Sequence, residues 1–482
     1  MNKANIVISK KDARDARLMV VRQALTVPVR FLRSIVILPL LSPDLIFVLK
    51  LISTWLGYTV RANFGTFNLL GFYYPAAEAQ GKTQLAQRYK YQAWIFSLFC
   101  VLIAAGVGVL IAFLYLETKH IPILILWGIA SILIKYMANY YQAIGNFNKI
   151  AIIDITGLVI GFFISLGGLL LFGFDGYLIG LVIPMIIVLG IGKSSFFPQR
   201  VALPFSFIKN SLFEGGYLTI DGFLSSFVKA HEITLFAFLA SVNKIFAGQY
   251  AVAITLTAIQ DNFITSVSKV YQRRVTQQLS TNEATDKYKS IYRFALLDLV
   301  LFSITASAFL LGGQLLSYLF PAYKEVAWVL PFLLLGTALQ RARYYPGVVF
   351  KLAKEFKTNI LSHVVHAVFG LTTFFIILNL QHEATYLLAI NQIIGASAGT
   401  LFLWGIFFYK KDKTKRLNFA SRFMLIILMI MIYIGVYIYF IENIYMSILI
   451  IILSNIIIIT YSYFFLKDTF ELLLKTFRLR KG

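Results

Sequence analysis

The chain has 482 residues, of which 59% are hydrophobic and only 13% charged, and its mean hydropathy is +0.78. That composition excludes a soluble globular domain and a disordered chain, and it reads as an all-α polytopic membrane protein. The formal charge of +23 would suit nucleic acid in a soluble chain. Here its ordinary origin is the enrichment of Lys and Arg in cytoplasmic loops, so no nucleic-acid partner is expected.

Apolar stretches near the length that crosses a bilayer recur throughout. They predict about 14 spans, at 17–40, 44–73, 91–116, 121–143, 150–173, 176–193, 211–238, 246–270, 292–313, 326–349, 358–379, 384–409, 420–440 and 446–466. With the N-terminus in the cytoplasm, the basic segments fall on one side. These are Lys10, Lys11, Arg14 and Arg17; Lys82, Arg88 and Lys90; Lys193, Arg200 and Lys209; Arg273, Arg274, Lys287 and Lys289; Lys410, Lys411, Lys413, Lys415 and Arg416; and the tail Lys475, Arg478, Arg480 and Lys481. The opposite loops carry little beyond Lys119, Lys244 and Lys324, so both termini are expected in the cytoplasm. The polar, basic start reads as too long in polar residues for a cleavable signal, so none is expected. The single Cys100 rules out an internal disulfide.

The second half repeats the layout of the first at an offset of about 200 residues. A long span, a loop rich in Gln and Lys and a Tyr-Lys pair occur in both, at Tyr89-Lys90 and Tyr288-Lys289. The repeat predicts two pseudo-symmetric six-helix bundles around a central cavity. The divisions are 1–195 for spans 1–6, 196–410 for spans 7–12, and 411–482 for two additional spans and a basic tail.

Charges inside the spans direct attention to function, because a lysine or arginine at a span's centre costs roughly 2.5–3.5 kcal/mol on insertion scales and faces a cavity or the protein interior. The first span carries Arg22, Arg30 and Arg33, and the second Lys50 and Arg61. Residues 11 apart lie about 20° from each other around a helix. Arg22 therefore shares a face with Arg33, and Lys50 with Arg61. Two basic stripes call for an anion held away from water, although snorkelling to headgroups suits Arg22 and Lys50 and is the lesser alternative for Arg30, Arg33 and Arg61. Pro28 predicts a kink beside the first stripe.

The other membrane charges are mixed in sign. Lys135 and Asp154 suggest an ion pair between neighbouring helices, or cavity lining. Glu232 lies one turn from Lys229, suggesting an intrahelical pair. Asp221 and Asp261 are the candidates for proton or sodium coupling, with structural pairing as the alternative for each. His363 and His366 lie one turn apart without further ligands, so no metal site is expected. There is no P-loop or other ATP signature, and no cofactor is expected. The far-side loops are short and lack paired carboxylates, which counts against an enzyme. Glycines in the third to sixth spans permit close helix approach.

The SPD turn, the second span ending in LLGFYYPAAEAQGKTQLAQ, the GQYAVA run and LLSYLFPAYKEVAWVLPFLLLG together resemble the polysaccharide-transport branch of the multidrug/oligosaccharidyl-lipid/polysaccharide exporter superfamily. That branch contains the O-antigen and capsule flippases. The resemblance implies 12 or 14 spans in the bacterial inner membrane and a cavity, commonly cationic. Its substrate would be an undecaprenyl-pyrophosphate-linked glycan moved from the cytoplasmic to the periplasmic leaflet. It also implies membrane lipids, a polysaccharide polymerase and a chain-length regulator as partners. Carried over by position, the family's basic cavity residues fall on Arg30, Arg33 and Arg61. On the eighth span this chain offers Asp261 and Lys269 instead of an arginine, with Arg273 and Arg274 at its end. A cation-coupled multidrug exporter of the same fold is the alternative, followed by a membrane glycosyltransferase or polymerase.

Overall fold

The computed structural model describes residues 18, 22, 25–33, 36–37, 40–196, 198–239, 243–280, 289–380, 385–410, 432–439, 443, 445–457 and 460. Lys10, Lys11, Arg14, Arg17, Lys287, Lys411, Lys413, Lys415, Arg416 and the tail Lys475, Arg478, Arg480 and Lys481 lie outside them, as do the side chains of Lys269, Arg273, Arg274 and Lys289.

The described residues are helical almost throughout, without a strand. Helix α1 covers 25–33, followed by α2 (Pro43–Thr59), α3 (Thr66–Ala79), α4 (Thr83–Tyr115), α5 (Ile121–Ala143), α6 (Phe147–Ile191), α7 (Phe205–Phe238), α8 (Lys244–Ser280), α9 (Lys289–Leu319), α10 (Lys324–Ala342), α11 (Tyr344–Leu352), α12 (Phe356–Leu380) and α13 (Ile390–Lys410). Helices α14 (432–439) and α15 (Tyr445–Ile457) complete them. Each of the 14 expected spans contains helix where its residues are described, with 44–73 and 326–349 each broken in two. Eight helical stretches among those residues are long and apolar enough to cross a membrane. Large side chains such as Phe163, Leu171, Phe205 and Phe213 lie exposed on the outside, as suits a surface solvated by lipid tails.

Helix α6 is two spans joined at Gly173, whose φ of 62° reverses the chain. Its arms pack antiparallel: a methyl group on Gly168 would overlap the backbone of Gly176, and one on Gly180 that of Ser165. The glycines therefore permit the close approach expected of them.

Helices α3 to α6 pack mainly on one another, as do α7 to α13, and α2 lies between these two groups, the lobes, against α4 on one side and α7 and α8 on the other. Helix α1 touches both, with Arg33 on Tyr177 of α6 and Phe31 edge-on to Phe309 of α9 at 5.8 Å. The lobes also meet along α2, α7 and α8. At one end the Tyr323 hydroxyl donates to Leu41 O at 2.7 Å, the Tyr115 hydroxyl donates to Ala237 O at 3.2 Å, and Trp55 stacks on Phe238. Helices α14 and α15 rest on α9 through Tyr437 to Leu310 O and Asn455 to Ser307.

Two broken helices place polar groups in the middle of this bundle. After Thr59 the second span unwinds through a 3₁₀ turn (Val60–Asn63) that carries Arg61, and Phe64 and Gly65 take left-handed φ of 50° and 70°. Asn63 holds the break, donating to Val60 O and accepting from Phe67 N at the start of α3, as a capping residue does. The other break separates α10 from α11 at Arg343. Pro346 in the first turn of α11 has no N–H for the carbonyl four residues back, and that carbonyl, Ala342 O, accepts from Trp404 Nε1 at 3.0 Å.

Candidate functional site: a polar cleft between the lobes

Irregular backbone at membrane depth is tolerated where it lines a cavity, and the break at Arg61 does so. Two adjoining cavities of about 190 and 240 Å³ lie against it, with Arg61, Asn68 and Leu218 in both linings. The smaller is also bordered by Asp221, Ser225 and Lys351, and the larger by Lys135, Asn139, Gln142, Asn63 and Thr219. Among the described residues, three cations, Arg61, Lys135 and Lys351, thus face the cleft with one carboxylate, Asp221. Neutral amides and hydroxyls supply the rest of its polar wall.

Each charge is held by its element. Arg61 reaches across from the first lobe, and its Nε donates to Ser226 Oγ on α7 at 3.2 Å, beside Gly222. Lys351 ends α11, where a cation suits the helix C-terminus, and its Nζ lies 2.7 Å from Asp221 Oδ2. The same carboxylate accepts from Asn359 Nδ2 and lies 3.4 Å from His363 Nε2, both on α12. Asp221 is therefore buried and satisfied by three side chains.

The other predicted residues lie elsewhere. Arg22 and Arg33 do share a face, and it is turned to α6, where Arg22 pairs with Asp154 and Arg33 Nη2 meets the Tyr177 hydroxyl at 3.4 Å. Asp154 thus pairs with Arg22 and not with Lys135, which lines the cleft. Arg30 and Lys50 are half-buried and border neither cavity. The Lys50 side chain makes no hydrogen bond or ion pair among the described residues.

Asp261 belongs to a network inside the second lobe. Lys229 Nζ lies 2.8 Å from its Oδ2, and Arg341 Nε 3.6 Å from its Oδ1. Arg341 continues to Asp298 at 3.2 Å, with Ser268 and Thr265 as further partners. The expected pair of Lys229 with Glu232 does not form. Ala230 has φ of −151° and kinks α7 between the two, so Lys229 turns to α8 while Glu232 accepts from Gln392 Nε2 at 2.5 Å. Lys351 escaped the sequence reading because it lies past the apolar core of its span. Its position five residues after Tyr344-Tyr345-Pro346 was the available signal.

No family model matches the chain, and no curated protein matches it. Solved structures do. The inward-facing conformation of a multidrug resistance MATE family transporter of the MOP superfamily superimposes with a TM-score of 0.63 at 13% identity, covering 84% of this chain and 98% of that one. An outward-facing conformation described in the same words gives 0.60 at 13% identity, with 85% and 96% covered. A variant of the Vibrio cholerae MATE transporter VcmN gives 0.61 at 15% identity, with 84% and 98% covered. At these identities the likeness establishes the MATE-like two-lobe fold.

Proposed function

We propose that this chain is a membrane transporter that flips a lipid-linked oligosaccharide bearing a pyrophosphate, from the cytoplasmic to the periplasmic leaflet of the inner membrane, by alternating access between its lobes. The observation that carries this reading is the charge of the cleft: among the described lining residues, Arg61, Lys135 and Lys351 stand against one carboxylate, Asp221. A cationic drug would meet net repulsion there, whereas a phosphate would find a bidentate guanidinium and two ammonium groups. The amides of Asn63, Asn68, Asn139 and Gln142 suit sugar hydroxyls. The polyprenyl tail would stay in lipid while the lobes rock about the site. That solved structures of this fold include both an inward-facing and an outward-facing form supports such rocking here.

The reading is tested by expressing the chain in a strain lacking its own glycan flippase, with Arg61→Ala and Arg61→Lys beside wild type. Restored surface glycan that Ala abolishes and Lys partly retains is the expected result. Efflux of cationic drugs without any glycan rescue would replace it with the multidrug-exporter reading. The polymerase and chain-length regulator implied as partners belong to the same proposal, and co-purification with the expressed chain tests them.

A further inference from the structure

Helix α2 runs along the boundary between the lobes, yet none of its large apolar side chains is exposed. From residue 45 to 59 the exposed positions are Ser53 and Gly57, and a methyl group on Gly57 would meet no other atom. Helix α4, which faces lipid, exposes Leu98, Phe99, Leu102 and Phe113 instead. Lys50, Ser53, Thr54, Gly57 and Arg61 recur at the spacing of one helical face, and Arg61 at its foot lines the cleft. Two cations and two hydroxyls on one open face would be costly against hydrocarbon, so the opening continues the cleft. On α8, packed against α2, the exposed position from 246 to 264 is likewise polar, Asn262. Lys50 is half-buried on this face. Arg22, Lys229 and Lys351 are each held by a carboxylate, whereas none among the described residues pairs with Lys50.

We infer that Lys50 is a second anion station, to which the phosphate of the substrate passes from Arg61 on its way out of the cleft; this rests on the anion-site reading and extends it along α2. At 1.5 Å of rise per residue the two cations lie roughly 16 Å apart. Both ride on α2, so rocking of the lobes leaves that spacing unchanged and alters which of them water reaches. Lys50 lies towards the end that the Tyr323 and Tyr115 hydroxyls close, by bonding Leu41 O and Ala237 O. With the basic segments in the cytoplasm, as the sequence predicts, that end is periplasmic. Once those bonds part, an anion leaving Arg61 must cross a stretch of low dielectric before it reaches water. Lys50 attracts it over that stretch, and the hydroxyls of Ser53 and Thr54 stand between the two cations. No carboxylate neutralises Lys50, so its field acts on the passing anion; Lys229, held by Asp261 at 2.8 Å, offers much less. Transfer between successive sites, each weak enough to release its ion, is how pores conduct.

The test is thiol labelling of the full-length protein in vesicles, in a Cys100→Ala background. Ser53→Cys and Gly57→Cys are treated with two methanethiosulfonates of similar size, one anionic and one cationic; each forms a disulfide with the thiolate and releases methanesulfinate. Leu102→Cys, at a side chain 71% exposed on α4, is the control. Both charged reagents should label the α2 positions and spare Leu102→Cys. At Ser53→Cys the anionic reagent should outpace the cationic at least fivefold, relative to their rates with a free thiol. Lys50→Gln should cut that ratio threefold or more, and Lys50→Arg should keep it. Labelling of the α2 positions by an apolar maleimide alone would put this face against lipid and overturn the inference, without any change at Lys50 and so whether or not Lys50→Gln folds. A ratio indifferent to Lys50→Gln overturns it as well. Surface-glycan rescue separates the two levels. Rescue lost in Arg61→Ala but intact in Lys50→Gln removes the Lys50 station and leaves the anion site of the cleft. Rescue intact in both removes that site and this inference with it, while loss in both that Lys50→Arg restores supports the station.

Discussion

Arg341 lies buried between Asp261 and Asp298, and its guanidinium reaches Thr265 and Ser268 as well. Removing one partner of a buried ion pair strands the others, at about 3–5 kcal/mol. Arg341→Met should therefore lower the unfolding temperature in detergent sharply. Arg341→Lys should rescue little, because one ammonium cannot span both carboxylates as the planar fork does. Lys229→Met should cost less, since the Lys229 side chain is 46% exposed. A melting temperature for Arg341→Met equal to wild type would show that the network does not hold the second lobe together. At this scale the sequence was legible in direction but not in partner. The 11-residue spacing placed Arg22 and Arg33 on one face, because the helical repeat decides that locally. Whether the face meets a cavity or α6 depends on how the helices pack, which spacing alone does not encode. Lys351 and Asp221, 130 positions apart, come together only through the break that starts α11.

Helices were the most legible level, since hydropathy alone locates a segment that must bury itself in lipid. The breaks within them were less so: 44–73 reads as one span although Phe64 and Gly65 interrupt it. The Asn-Phe-Gly sequence at 63–65 was the available sign, outweighed by the apolar residues on either side. This break also brings the lobes together. A methyl group on Gly65 would overlap the backbone of Gly215 on α7, and one on Gly215 would overlap Phe64 O. Small residues let backbones approach this closely, so Gly215→Leu should hold α3 and α7 apart. The expected outcome is a folded protein with little transport. A paired-cysteine cross-link between positions 73 and 214, made in a Cys100→Ala background, should fall several-fold in yield. An undiminished yield would mean that α7 accommodates the side chain by shifting without parting from α3.

At the scale of the whole molecule, α3 and α7 meet across the lobe boundary beside the cleft, whose linings they share through Asn68 and Leu218. The Tyr73 hydroxyl donates to Glu214 Oε2 across the lobe boundary at 2.7 Å, and Lys354 Nζ holds Oε1 at 2.8 Å. Tyr89 packs between Tyr73 and Phe207. Parting the lobes here must break the tyrosine bond, while the Lys354–Glu214 pair lies within the second lobe and travels with it. Hydrogen bonds to charged groups contribute about 1.5–3 kcal/mol, equivalent to roughly tenfold or more in the balance between closed and open forms. Tyr73→Phe removes that bond alone and should raise the open population by about that factor. Lys354→Met should act weakly, since its side chain is 62% exposed and such pairs contribute little. The readout is the rate at which a charged maleimide labels Asn68→Cys in the cleft, again without Cys100. Faster labelling in Tyr73→Phe, and near wild-type labelling in Lys354→Met, would make the tyrosine the latch. Equal labelling in wild type and Tyr73→Phe would mean that the tyrosine bond is not what holds the lobes together here, and would turn attention to the close approach of Gly65 and Gly215.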